Sequence, residues 1–87
     1  MGKFQTKIKN QYEKKGYKVV KLIRLSENGY PDLLCLKDSI AIWVEVKEAN
    51  DTLKELQKIR INELINNGFI AGAIQDGIGV IYGNIKV

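Results

Sequence analysis

Phe4, Ile8 and Tyr12 recur every four residues with Lys and Asn between them, which predicts an amphipathic helix over residues 3–15. Gly16 follows Lys14 and Lys15 and stops it, since glycine accepts a left-handed cap and cations favour the last turn. Apolar and basic residues then alternate from Tyr17 to Leu25. This predicts a strand with Tyr17, Val19 and either Leu22 or Ile23 inward, Lys18, Lys21 and Arg24 outward, and a bulge at Val19-Val20. Ser26-Glu27-Asn28-Gly29-Tyr30-Pro31 is turn chemistry.

Two apolar runs, Leu33–Leu36 and Ile40–Val44, flank the polar turn Lys37-Asp38-Ser39 and predict a hairpin. Asn50-Asp51-Thr52 precedes a second helical pattern. Asp51 or Thr52 would cap it, Glu55 would complete a capping box, and Leu53, Leu56, Ile61 and Leu64 would share one face as far as Asn67-Gly68. Phe69–Gln75 and Ile78–Val87 read as strands joined by a turn at Asp76-Gly77. The order α-β-β-β-α-β-β, with a helix crossing between the third and fourth strands, predicts an α/β fold: a mixed sheet flanked by helices, as one domain over 1–87.

The second strand of the hairpin ends in Trp43-Val44-Glu45-Val46-Lys47. Alternation sends Glu45 and Lys47 to one face and Val44 and Val46 to the other, so the valine face is the expected core and the Glu/Lys face is not. Folding the hairpin also brings Asp32 beside Glu45, although thirteen positions separate them. Two carboxylates and an ammonium at one sheet end suit metal chemistry. Read alone, they equally suit a cross-strand ion pair worth roughly 0.2–1 kcal/mol.

Composition narrows the classes. With no histidine, imidazole bases, Ser-His triads and zinc-finger ligand sets are excluded. Cys35 is the only cysteine, sits among leucines and reads as a small buried apolar residue. No apolar run approaches the ~18 residues of a membrane span, the N-terminus lacks a signal-peptide centre, and a cytoplasmic setting is expected. The net charge of +4 is unevenly spread: residues 1–24 hold eight basic side chains against Glu13 alone, while the remainder is acidic. A basic segment suits phosphate binding; Lys3, Lys7, Lys14 and Lys18, with Lys54 and Lys58 on the second helix, are the expected DNA contacts.

The series Gly29-Tyr30-Pro31-Asp32-Leu33-Leu34, Trp43-Val44-Glu45-Val46-Lys47, Leu53-Lys54-Glu55-Leu56-Gln57-Lys58 and Asn67-Gly68 resembles the VRR-Nuc (virus-type replication-repair nuclease) domain. This is a branch of the PD-(D/E)xK superfamily, and the likeness covers residues 3–75. Singly, only Gly-x-Pro-Asp-Leu is distinctive; together, in this order and spacing, the motifs are specific. The resemblance implies a restriction-endonuclease-like core and metal-dependent phosphodiester cleavage, often of branched DNA. It also implies a homodimer, since stand-alone members of this size, many from phages, resemble Holliday junction resolvases.

Carried over by position, Asp32, Glu45 and the Val46 carbonyl would hold Mg2+ or Mn2+, Lys47 would orient water or stabilise phosphate charge, and Gln57 would match the family's glutamine on the helix after the sheet. One feature departs from the pattern. The family has an acidic ligand early in the first helix, whereas Glu13 lies in the last turn here and Gln5 stands nearer the expected place. That departure supports the alternative of a non-catalytic DNA-binding module with the nuclease fold. A small structural protein whose hairpin carboxylates form only surface ion pairs is a third reading. The apolar crowd Ile78, Val80, Ile81, Tyr82, Ile85 and Val87 points to a dimer interface near the C-terminal hairpin.

Overall fold

Asp38 and Ser39 both adopt positive φ (49° and 67°), and so close a two-residue turn between the paired Lys37 and Ile40. That tight turn fixes the hairpin register, because a slip of one residue would exchange the faces of every side chain. The hairpin is the middle of the molecule. In the computed structural model, which describes residues 2–86, the elements are α1 (Lys3–Lys14), β1 (Lys18–Lys21), β2 (Leu33–Lys37), β3 (Ile40–Lys47), α2 (Glu55–Asn66), β4 (Ile70–Gln75) and β5 (Gly79–Gly83).

The strands form one mixed sheet in the order β1-β2-β3-β4-β5. Pairs β1/β2, β2/β3 and β4/β5 are antiparallel; β3/β4 is parallel and is bridged by α2. The expected α/β architecture and element order are the ones observed. Among the described residues no helix is long and apolar enough to cross a membrane.

Each face of the sheet carries its own core. On one, Ile8 and Tyr12 of α1 pack on Val19, Leu33, Cys35, Ile42, Val44, Ile74 and Ile85. On the other, Ile61 and Leu64 of α2 pack on Ala71 and Ala73, with Tyr30, Trp43, Leu53, Ile65, Ile81 and Tyr82 around them. Burial pushes the Cys35 thiol up to about 11 and the Tyr12 hydroxyl up to about 12, which suits packing groups. The Glu45/Lys47 face is therefore not the open side that alternation suggested. α2 covers it, and Glu45 and Lys47 are only 3% and 4% exposed.

Several boundaries differ from the sequence reading, each for a local reason. β1 ends at Lys21 rather than Leu25 and pairs regularly with β2, without a bulge. The Leu22 N–H still reaches the Asp32 carbonyl at 2.8 Å, and beyond that pair the chain leaves the sheet to bend through residues 26–28. Leu22 is thus the half-buried residue and Ile23 points to solvent. α2 begins at Glu55, not at a Thr52 or Asp51 cap, because Gln57 Oε1 accepts the Lys54 N–H at 2.9 Å. Its buried stripe runs through Gln57, Ile61 and Leu64, which leaves Leu56 exposed.

β5 is shorter than Ile78–Val87, and its apolar residues are mostly used within the chain. Val80 and Ile85 join the α1-side core, while Ile81 and Tyr82 both join the α2 side. A register shift opposite Ala73/Ile74 lets those two neighbours do so. Ile78 stays exposed, and Val87 lies outside the described residues.

Candidate active site

The register Leu33↔Val44, continued by one residue, sets Asp32 opposite Glu45 at the open end of β2 and β3. Alternation turns both toward α2. Asp32 is held by the Val46 N–H, which donates to Oδ2 at 3.0 Å. Glu45 Oε2 accepts a hydrogen bond from Gln57 Nε2 at 3.2 Å and lies 3.5 Å from Lys47 Nζ. Its other oxygen, Oε1, is buried without a hydrogen-bond partner among the described residues.

Taking a carboxylate out of water penalises its charged form. Burial pushes the Glu45 carboxyl up to about 7, the neighbouring Asp32 charge adds to the rise, and Lys47 opposes it. A buried carboxylate with one bare oxygen beside a second acid is a costly arrangement that a hard divalent cation relieves. The residues present fit such an ion. Among the described residues no third Asp, Glu, His or Cys side chain joins the pair, so further ligands would come from backbone carbonyl or water.

Lys47 is shared. Its Nζ also lies 3.5 Å from Asp51 Oδ2, and that contact, together with the Thr52 N–H on Asp51 Oδ1, holds the Asp51 carboxyl below its usual range; the Thr52 bond is the larger cause. The segment carrying Asp51 is itself tethered. Gln75, buried beside Lys47 at the end of β4, directs Nε2 at the carbonyls of Glu48 (3.1 Å), Ala49 (3.3 Å) and Asp51 (2.7 Å).

The sequence-predicted residues fall into two groups. Asp32, Glu45, Val46, Lys47 and Gln57 come together, and Lys54 adjoins them through Gln57. Lys58, on the next turn of α2, pairs with Glu55 at 3.3 Å and lies 5.9 Å from the Tyr82 ring centre. Lys3, Lys7 and Lys14 lie instead along a groove of about 450 Å³ on α1, the helix that covers the opposite face of the sheet. Lys18 is exposed at the start of the edge strand β1. Glu13 pairs with Lys9 at 3.1 Å in the last turns of α1, whereas the start of that helix lies against Glu48, so half-buried Gln5 is the nearer of the two.

Three residues of this region were not identified from sequence. Asp51 was read only as a helix cap. Gln75 carried one signal, a polar residue closing the otherwise apolar run Ile70–Ile74. Arg60 carried none: its Nε donates to the Asn28 carbonyl at 2.8 Å and its guanidinium lies 5.2 Å from the Tyr30 ring, tying the segment before Asp32 to α2.

A mixed sheet between helices, with an acid pair and a lysine at the ends of its central strands, defines the class of restriction-endonuclease-like nuclease domains. The sequence model of the VRR-NUC domain matches residues 4–75, and the chain belongs to that family. Among solved structures it is similar to Hjc of Archaeoglobus fulgidus, a Holliday junction resolvase from an archaeal hyperthermophile, with a TM-score of 0.58 and 15% identity. The match covers 83% of this chain and 64% of the resolvase, so this chain spans somewhat less than two thirds of that protein. Among curated proteins none matches this chain.

Proposed function

We propose that this nuclease-family domain, acting as one unit over 1–87, is a divalent-metal-dependent endonuclease that hydrolyses phosphodiester bonds in DNA, with a preference for branched molecules. The observation that carries the reading is the bare, buried Glu45 Oε1 beside Asp32 in a chain of this family. Asp32, Glu45 and the Val46 carbonyl would hold Mg2+ or Mn2+. When bound, that ion supplies Lewis-acid activation of a phosphoryl oxygen and of water.

The chain's own groups do the positioning. The Val46 N–H fixes the Asp32 carboxylate, and Gln57 fixes one oxygen of Glu45, which leaves the other free to serve as a ligand. Lys47 brings a cation to the same place, where it orients water and stabilises charge on the phosphate. Lys54 and Lys58 bind phosphates on the α2 side, and Lys3, Lys7, Lys14 and Lys18 bind flanking DNA around the α1 side.

Resolving a branch requires two cuts, and one chain offers one site. We therefore propose a homodimer whose two-fold axis matches that of a four-way substrate. Its interface need not be the C-terminal hairpin, most of whose apolar groups serve the monomer core. Light scattering at micromolar concentration should give twice the 9.9 kDa chain mass.

The second reading, a DNA-binding module without catalysis, is favoured by the absence of a third acidic side chain among the described residues. Labelled four-way, flap and linear DNA incubated with EDTA, Mg2+ or Mn2+ separates the two. Metal-dependent cutting of branched DNA is expected. Binding that chelation does not alter, with no product in Mn2+, would establish the module instead.

A further inference from the structure

The Leu22 N–H and Asp32 carbonyl are bonded at 2.8 Å, continuing the β1/β2 register by one step. Residues 23–31 therefore form a closed loop whose neck adjoins the catalytic carboxylate. Its rear is fixed: Arg60 donates to the Asn28 carbonyl and lies over Tyr30, and Gly29, at φ 88°, sits against Leu56 where a Cβ would clash. Its front carries two apolar side chains in solvent. Ile23 is 86% exposed, the most exposed large apolar residue among those described, and Leu25 is 43% exposed, with Arg24 between them and Lys21 just before.

Chain geometry locates this front. Paired antiparallel residues have Cα atoms about 5.5 Å apart and the next residue is about 3.8 Å further, so the Ile23 Cα lies within about 9 Å of the Asp32 Cα. That is two to three base steps at roughly 3.4 Å each. DNA with its phosphate at Asp32 and Glu45 has this loop within reach. Its two apolar side chains offer nothing to a phosphate, and in an intact duplex the base faces are already stacked. At a branch point the stack is open, and an apolar wedge fills it at little unstacking cost.

We propose that Ile23 and Leu25 are a wedge that seats against unstacked bases at a DNA branch held over Asp32 and Glu45. The proposal rests on the nuclease reading and names the feature by which the same site selects its substrate. Charge favours DNA over a second copy of the chain as the occupant. Lys21 and Arg24 are exposed beside the two apolar residues, while Glu27 of the same loop is paired with Arg60. A two-fold contact there would oppose like charges, whereas DNA neutralises them.

The test uses metal-free protein in EDTA, so that it does not depend on cleavage. A four-way junction with 2-aminopurine at the branch reports unstacking as a rise in fluorescence. Wild type should brighten the probe and prefer the junction to linear duplex. The double variant Ile23→Ser/Leu25→Ser should lose the rise and about tenfold of the preference while keeping linear-duplex affinity within about twofold. Both side chains are exposed, so its thermal melt should match wild type, and Ile23→Ser alone should give a partial loss. An unchanged probe signal and preference would overturn the wedge, as would failure of wild type to bind the junction. A dimeric wild type whose double variant is monomeric would also overturn it, assigning the patch to the subunit interface. Probe brightening without cutting in Mg2+ or Mn2+ would sustain the wedge and refute the catalytic reading.

Discussion

Gln57 joins the start of α2 to the buried carboxylate: its Oε1 accepts the Lys54 N–H at 2.9 Å and its Nε2 donates to Glu45 Oε2 at 3.2 Å. One amide thus does two jobs, capping a helix whose preceding residues supply no cap and fixing the buried Glu45 carboxyl. Gln57→Leu removes both and should destabilise the protein by roughly 1–3 kcal/mol. Gln57→Glu keeps the capping oxygen but sets a second carboxylate against Glu45. Without metal its melting temperature should fall, and Mn2+ should raise it more than it raises wild type. An equal Mn2+ shift in both proteins would contradict the proximity of Gln57 to the ion.

The Glu45 carboxyl sits at about 7 against an ordinary value of 4.5. The folded state therefore holds this proton more tightly than the unfolded state. Its contribution is fully present below about pH 4.5 and is lost as pH rises through 7, on the order of 3 kcal/mol in total. Metal-free protein should weaken over that window, Glu45→Gln should flatten the fall, and added Mn2+ should restore stability to wild type alone above pH 7. Chemical denaturation at pH 5 and pH 8 measures all three.

Gln75 donates to three carbonyls of the segment that carries Asp51 to Lys47. Gln75→Leu leaves those carbonyls without their donor and should cost roughly 1–3 kcal/mol, or several degrees in melting temperature. Amide hydrogen exchange should quicken at residues 48–52 in particular. Uniform exchange across the chain would show that Gln75 acts only on global stability.

Much of this was legible because it follows from local rules. The Asp38-Ser39 turn fixes the hairpin, the hairpin fixes Asp32 against Glu45, and Leu53, Gln57 and Ile61 at four-residue spacing place the glutamine on the sheet-facing side of α2. What could not be read depends on contacts between segments far apart in the chain. Burial of Glu45 and Lys47 needs α2 above them, and alternation within one strand does not report a helix that arrives later. Gln75 and Arg60 act through backbone carbonyls, which leave no pattern in side-chain type.

Lys54 and Lys58 lie in the same layer as the carboxylates, at the start of α2. If each neutralises one phosphate, Lys54→Ala/Lys58→Ala should lower the slope of log affinity against log salt by about 1.8. Binding titrations between low and physiological salt check this. A slope equal to that of wild type would remove both residues from the interface.

The central claim, that Asp32 and Glu45 form a metal-dependent hydrolytic site, is tested most directly by the Glu45→Gln protein. The substitution keeps the shape of the side chain and removes its charge, so the fold should persist and be confirmed by its thermal melt. In Mn2+, wild type should cut a labelled four-way junction, while Glu45→Gln should bind the same DNA and leave it intact over the same time course. Comparable cleavage by the folded variant would contradict the account.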